Sequence, residues 1–323
     1  MPNSSLPTDF IPISVSTLIP SQIMDADLYR ADESARRLVL YRGSDYPLTI
    51  EDLQRLRERG VSRLFIESDR RDDYQQYLRK MVFESDSESS LPVSARTEAL
   101  GAVVRDILQN AFAGGDANET IQSAHELGTL TANILSEDTF AASDLSRVLS
   151  HDYATFTHSA NVAFYAGVLA KHLGYSKEDI QQITTGGLIH DLGKLEIDDK
   201  ILSKPARLDE REFREIKRHP TLGFIQVAER SDVTCGQLMM VYQHHERLDG
   251  GGYPVGVTAN EIHPWAKICT VVDVFEALTS HRPYRTPMAK ARAIELMQRD
   301  LGTAFDPEIF ACWEEITRNC WHN

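Results

Sequence analysis

The spacing of apolar residues divides this chain in two. Near the front, short runs rich in β-branched and aromatic residues, Phe10–Val15 and Arg37–Tyr41, predict strands. Thr49 is placed to cap a helix over Ile50–Arg59, with Asp52 in its first turn and Gly60 ending it. Ser62–Ile66 predicts the next strand. Together these give a small α/β domain over residues 1–83. The acidic run Glu84–Ser90, followed by Leu91–Pro92, predicts a linker over 84–92. Beyond it the pattern is helical almost to the end. Ala95–Ala113 and Glu119–Leu135 predict helices separated by Gly114–Gly115–Asp116, within a connecting segment 93–144. Residues 145–323 form the last domain, all helical, so the fold class is α+β.

Within that last domain the helical period places polar residues on apolar stripes. His158, Val162, Tyr165, Leu169 and Leu173 follow one face of a helix. Ile180, Ile183, Gly187 and Asp191 follow another, and Cys269, Asp273 and Glu276 share a third. Gly186–Gly187 inside a helix costs about 1 kcal/mol per glycine relative to alanine. A close helix approach would offset it.

Composition narrows the classes. A length of 323 residues favours two domains, and 42% hydrophobic residues suffice for a substantial core. The formal charge of −14 argues against nonspecific binding to DNA, RNA or an anionic membrane surface. No apolar run is long enough to span a membrane, and the start lacks a signal-peptide pattern. Cys235, Cys269, Cys312 and Cys320 form no C-x-x-C pair and read as reduced thiols of a cytoplasmic protein. Cys269, in an apolar run, is expected in the core.

The candidate chemistry lies in five histidines and two aspartates: His158, His190–Asp191, His219, His244–His245 and Asp273. Imidazole and carboxylate are ligands of Zn, Fe and Mn. Their recurrence suggests successive helices delivering ligands to one centre. Seven ligands exceed what one tetrahedral ion takes and suit two ions sharing a carboxylate, an arrangement that hydrolyses phosphate esters. A single histidine on an apolar face is more often a hydrogen-bonded core residue. His125, His151, His172, His263, His281 and His322 take that plainer reading.

In sequence, His190–Asp191 heads His-Asp-Leu-Gly-Lys, and His244–His245 heads His-His-Glu-Arg-Leu-Asp-Gly-Gly-Gly-Tyr-Pro. With Arg218–His219–Pro220, Asp273 and Arg282–Pro283–Tyr284–Arg285 in order, these motifs resemble the HD-GYP family of metal-dependent phosphohydrolases over roughly residues 145–320. The resemblance implies an all-α HD-type bundle that hydrolyses the bacterial second messenger cyclic di-GMP to pGpG or on to GMP. It implies two divalent ions, Fe or Mn, although the ligand set also permits zinc. One ion would be held by His158, His190, Asp191 and Asp273, and the other by Asp191, His219, His244 and His245. Asp191 would bridge them, and a metal-bridging hydroxide would attack phosphorus. Lys194 would neutralise charge in the transition state, Arg282 and Arg285 would hold phosphate or guanine, and Tyr253 would stack or hydrogen-bond at the pocket lip.

Three positions depart from the family pattern. Ala154 stands where some members carry a glutamate for a third metal, so a binuclear site is expected. Glu276 replaces a usual aspartate, and His281 a usual acidic residue. The front domain resembles, more loosely, a small domain of unknown function found before HD-GYP domains. It is expected to serve regulation or partner docking, or to act only as a packing or dimerisation module. Two rival functions stand beside the main one: hydrolysis of pGpG or another cyclic dinucleotide, and a non-catalytic adaptor that binds nucleotide or a partner protein.

Overall fold

The computed structural model describes residues 9–20, 24–32, 37–83, 99–101, 103, 117–136, 155–202, 204, 206–280 and 286–321. The expected linker, most of the Ala95–Ala113 helix, Ala154, and the His281–Arg285 run with Arg282 and Arg285 lie outside these residues. The chain divides into two units, Met1–Val103 and Val104–Asn323.

The first unit holds a four-stranded antiparallel sheet in the order β1-β4-β2-β3. Its strands are β1 (Phe10–Ser14), β2 (Leu28–Asp32), β3 (Arg37–Arg42) and β4 (Arg63–Glu67). Strand β4 pairs with β1 on one side (Phe10 opposite Glu67) and with β2 on the other (Tyr29 opposite Phe65). An inner strand must be apolar on both faces, and Leu64, Phe65 and Ile66 are all buried. Helix α1 (Ile50–Glu58) begins at a capping box in which Thr49 and Asp52 each accept a backbone hydrogen bond from the other. Gly60, with φ of 68°, turns the chain out of that helix into β4. Helix α2 (Arg71–Phe83) is tied back by two tyrosines. Tyr74 shares a hydrogen bond with Thr17, and the Tyr77 hydroxyl accepts one from the Ile19 amide.

Sequence patterning finds three of the four strands and α1. It leaves out β2, whose five residues carry one apolar run too short to register, and α2. The charged start of α2 reads as a solvated face, yet Tyr74, Tyr77 and Leu78 are buried at i, i+3, i+4, the stripe that marks it as a helix.

Among the described residues the second unit is helical apart from isolated bridges. It contains α3 (Ala117–Leu135), α4 (Thr155–His172), α5 (Lys177–Ile189), α6 (Asp199–Leu202), α7 (Glu210–Ile216), α8 (His219–Val227), α9 (Cys235–Gln243), α10 (Pro264–Thr279), α11 (Lys290–Met297) and α12 (Pro307–Trp321). Helix α5 packs against α3, α4 and α9, and α10 packs against α4 and α9. The apolar stripe through His158 is part of something wider, because α4 is buried on every side from 158 to 170. The glycine pair in α5 has a steric reason. A Cβ on Gly187 would stand 2.7 Å from the Ala163 Cα, and one on Gly186 would stand 2.3 Å from the Met240 Sδ. Helices α4 and α9 thus approach α5 where a side chain would hold them away. Trp313 closes the far side of the core edge-on to Tyr165 and Phe275. Cys269 is fully buried, as expected. No described helix is long and apolar enough to cross a membrane.

Candidate metal centre

The ligand-type residues sit at helix ends and on two buried helices. His158 comes from α4 and Asp273 from the middle of α10. His190 follows the last residue of α5, with Asp191 next in a 3-10 turn. His219 opens α8, and His244 follows α9. The structure brings all seven together in two groups. His158, His190 and Asp273 form one, and Asp191, His219, His244 and His245 form the other. Within each group, one donor atom per residue lies within 4.8 Å of the others.

Asp191 stands between the groups. Its Oδ2 lies 3.4 Å from the Nε2 atoms of both His158 and His190, and its Oδ1 lies 3.2 Å from His219 Nε2. His158 Nε2 is also 3.1 Å from Asp273 Oδ1.

The outer nitrogen of each of four rings is engaged. Nδ1 of His190 meets the Gly187 carbonyl at 2.7 Å, and that of His219 meets the Ile216 carbonyl at 2.7 Å. His244 Nδ1 meets the Met240 carbonyl at 2.9 Å. A carbonyl only accepts, so these three Nδ1 atoms carry the proton and their Nε2 lone pairs point inward. His158 Nδ1 meets Glu276 Oε2 at 2.5 Å, and Glu276 also accepts from Asn161. This is the carboxylate–histidine arrangement that orients metal ligands.

Electrostatics separates the two groups. Burial lowers the pKa of His219 to about 4, of His245 to about 3 and of His244 well below its ordinary value. These rings are neutral at pH 7 and available as ligands. His158 behaves oppositely. Burial opposes its charge, but Glu276, Asp191 and Asp273 raise its pKa well above the ordinary value. Burial also opposes ionisation of Asp191 and Asp273. For Asp191, Lys194 and the surrounding histidines reverse that effect; for Asp273, His158, His190 and His245 do so. Both carboxyls are held below the usual range.

Two observations fit this cradle to cations. His190 Nε2 and Asp191 Oδ1 are buried and make no hydrogen bond, a costly arrangement unless another group satisfies them. His219 Nε2 and His244 Nε2 face one another at 3.2 Å, with both protons assigned to the outer nitrogens. Opposed lone pairs repel, and a cation between or beside them removes the repulsion. Nitrogen and carboxylate donors suit Fe, Mn or Zn.

Lys194 places its Nζ 2.5 Å from Asp191 Oδ2, so it is engaged with the centre rather than free beyond a helix end. Tyr253 stacks on His245, with centroids 4.7 Å apart and an interplanar angle of 26°. The loop carrying it is built around Glu246, a buried residue whose role the sequence motifs do not assign. Its carboxylate accepts from the Val255 and Gly256 amides. Tyr253 N donates to the His245 carbonyl, and a Cβ on Gly252 would stand 2.5 Å from the Arg247 nitrogen. The Gly-Gly-Tyr-Pro run therefore does more than end a helix. It folds back on the ligand pair and lays an aromatic ring on it. A glutamate directly after two histidines was the available signal, but its burial and its amide partners are visible only in the fold.

Comparison with known proteins places these features among relatives. A family model described as HD domain matches residues 130–309. A 3'3'-cGAMP-specific phosphodiesterase of Vibrio cholerae is 40% identical over 157 residues, covering 49% of this chain and 34% of its own. A cyclic di-GMP phosphodiesterase of Pseudomonas aeruginosa is 30% identical over 278 residues, covering 80% of this chain and 66% of its own. The chain therefore spans between about a third and two thirds of the length of these relatives. Among solved structures, an HDG"Y"P protein from Bdellovibrio bacteriovorus shares the fold. Its TM-score is 0.65 at 21% identity, over 96% of this chain and 100% of that one.

Proposed function

The chain belongs to the HD domain family, and on that premise we propose that it hydrolyses a phosphodiester bond of a cyclic dinucleotide, cyclic di-GMP in the first instance. The product is pGpG, GMP or both. The observation that carries this reading is the convergence of seven ligand-type side chains around two buried polar atoms that have no hydrogen-bond partner. His158, His190, Asp191 and Asp273 would hold one divalent ion, and Asp191, His219, His244 and His245 the other. Fe or Mn is the expected metal. Such a pair, when bound, supplies hydroxide at neutral pH and neutralises charge on the phosphoryl oxygens.

The remaining work belongs to side chains. Lys194, beside Asp191, stabilises the negative charge that grows on the phosphate in the transition state. Glu276 fixes the His158 ring. Tyr253 forms one wall of the centre by stacking on His245. Arg282 and Arg285, placed by the sequence just after the helix that carries Asp273, bind phosphate or the guanine edge.

A second reading, a preference for 3'3'-cGAMP, is favoured by the relative that is 40% identical and bears that specificity in its name. Guanine is common to both substrates, so the choice rests on the second base. The test is anaerobic purification, metal quantification and chromatography of products from cyclic di-GMP, 3'3'-cGAMP and pGpG. Two Fe or Mn per chain with linear product from a cyclic dinucleotide supports the reading. Metal-free, inactive protein after Fe and Mn have been supplied refutes it in favour of an adaptor.

A further inference from the structure

Lys217 lies beside the centre, and no role follows for it from the motifs. It is the residue after α7 and stands two before His219. Its backbone position is fixed from both sides. Its amide donates to the Phe213 carbonyl, and the carbonyl of its neighbour Ile216 receives His219 Nδ1. The side chain is half-buried, and its ammonium lies over two rings, 4.9 Å from the Phe213 centroid and 5.0 Å from the Tyr253 centroid. Tyr253 is itself stacked on His245. Among the described residues the Lys217 ammonium makes no ion pair. Its neighbours Lys204 and Arg218 are occupied by Glu212 and Glu215.

A lysine held against aromatic faces gives up part of its water. Such a cation, one aromatic ring away from His245 and without a carboxylate among the described residues, is preorganised for an external anion. Lysine acts there as a compact point charge that suits a phosphate oxygen. Phe213, one of the two rings beneath it, also lines a groove of about 640 Å³ with Ile201, Leu202, Lys204, Arg207 and Asp209, within the size range of small-molecule sites.

We propose that Lys217 binds the second, non-scissile phosphate of a cyclic dinucleotide while the first lies at the metal centre. This deepens the function proposed above and rests on it. A cyclic dinucleotide carries two phosphodiesters on opposite sides of its macrocycle. The one that is cut would lie at the centre held by the histidines and aspartates, beside Lys194, and the other brings a negative charge to the rim of the site. A substrate with a single phosphodiester has no use for Lys217.

The experiment compares the metal-loaded full chain with its Lys217→Gln and Lys217→Arg variants. It measures metal content, cyclic di-GMP affinity by calorimetry, and kcat/KM for cyclic di-GMP and for bis(p-nitrophenyl) phosphate, which has one phosphodiester. A charge-assisted contact of this kind corresponds to roughly ten- to a hundredfold in affinity. Lys217→Gln is expected to weaken cyclic di-GMP binding by that factor and to lower the ratio of the two kcat/KM values by at least tenfold. Lys217→Arg restores most of it, and metal content stays at the wild-type level. Equal losses on both substrates, or loss of metal, would show that Lys217 supports the centre instead and would overturn the proposal. Unchanged affinity in Lys217→Gln overturns it as well. A wild-type chain that cleaves bis(p-nitrophenyl) phosphate but neither binds nor cleaves cyclic di-GMP or 3'3'-cGAMP removes the cyclic-dinucleotide reading itself, and this proposal with it.

Discussion

Among the described residues, Asp191 is the one whose two carboxylate oxygens address both groups of ligands, Oδ2 facing His158 and His190 and Oδ1 facing His219. Asp191→Ala is therefore expected to lose both ions, not one, together with all hydrolysis. Metal quantification checks this, and a variant that keeps one full equivalent would show that the groups load independently. Glu276 acts at one remove. It holds the Nδ1 edge of His158 from 118 residues away and accepts from Asn161 with its other oxygen. Glu276→Gln keeps the shape but weakens that hold, so metal affinity at the His158 group should fall roughly 10- to 100-fold. A metal titration unchanged from wild type would deny Glu276 this role. The histidines and aspartates were legible in the sequence because adjacent pairs such as His190–Asp191 and His244–His245 are rare outside such chemistry. The duties of Glu276 and Glu246 were not, because each depends on which distant backbone or ring the fold presents to a carboxylate. Even the Glu-for-Asp change at 276, visible in the sequence, gains meaning only when its extra methylene is seen to reach His158.

Helix ends do most of the positioning. His190, His219 and His244 all flank helix termini, where a carbonyl is spare to receive Nδ1, as those of Gly187, Ile216 and Met240 do. The register of α5 is set in turn by its close approach to α4. Gly187→Ala would drive a Cβ to 2.7 Å from the Ala163 Cα, so backbone must move. The expected cost is about 1–3 kcal/mol in unfolding free energy, with a loss of metal affinity because the same residue's carbonyl orients His190. Denaturant unfolding of the apo protein and a metal titration measure the two parts separately, and an unaltered titration would uncouple the helix contact from the site. In the first unit, Thr49→Ala removes the α1 cap at a cost of about 1 kcal/mol. Its partner Asp52 has a lowered pKa, first because the Thr49 amide donates to it, with the Thr49 hydroxyl and Arg42 adding to the effect. That contribution is fully present above the ordinary aspartate pKa of about 4 and is lost as acid protonates the folded carboxyl. Acid sensitivity of this unit should accordingly diminish in Asp52→Asn, and an unchanged acid midpoint would contradict it. The period of apolar residues revealed α1 and the helix ending at Leu135, where a cap or a long stripe stands out. It did not reveal β2, which has only five residues and borrows its identity from Phe65 across the ladder.

The two units differ most in what they bury. Among the described residues, the second unit encloses Asp191, Asp273 and Glu276 with their charges gathered around His158 and Lys194. Burial disfavours each of those charges, and a bound pair of divalent ions would offset that cost directly. Among the described residues the first unit shows no such cluster, and the one buried aspartate there, Asp52, is matched by Arg42. Metal binding should therefore stabilise the chain unevenly. An ion at a hundredfold its dissociation constant adds about 2.7 kcal/mol to a folded state that alone binds it. Chelation followed by hydrogen exchange is expected to raise exchange in α4, α5 and α10 by one to two orders of magnitude. The amides of Leu64–Ile66 in β4 should stay as they were. Returning Mn or Fe should restore protection in the helices alone. Equal loosening of β4 would mean that the units unfold as one and that the division at Val103 has no energetic counterpart. Helices indifferent to chelation would mean that their polar cluster is balanced by hydrogen bonds alone, which the bare His190 Nε2 and Asp191 Oδ1 argue against.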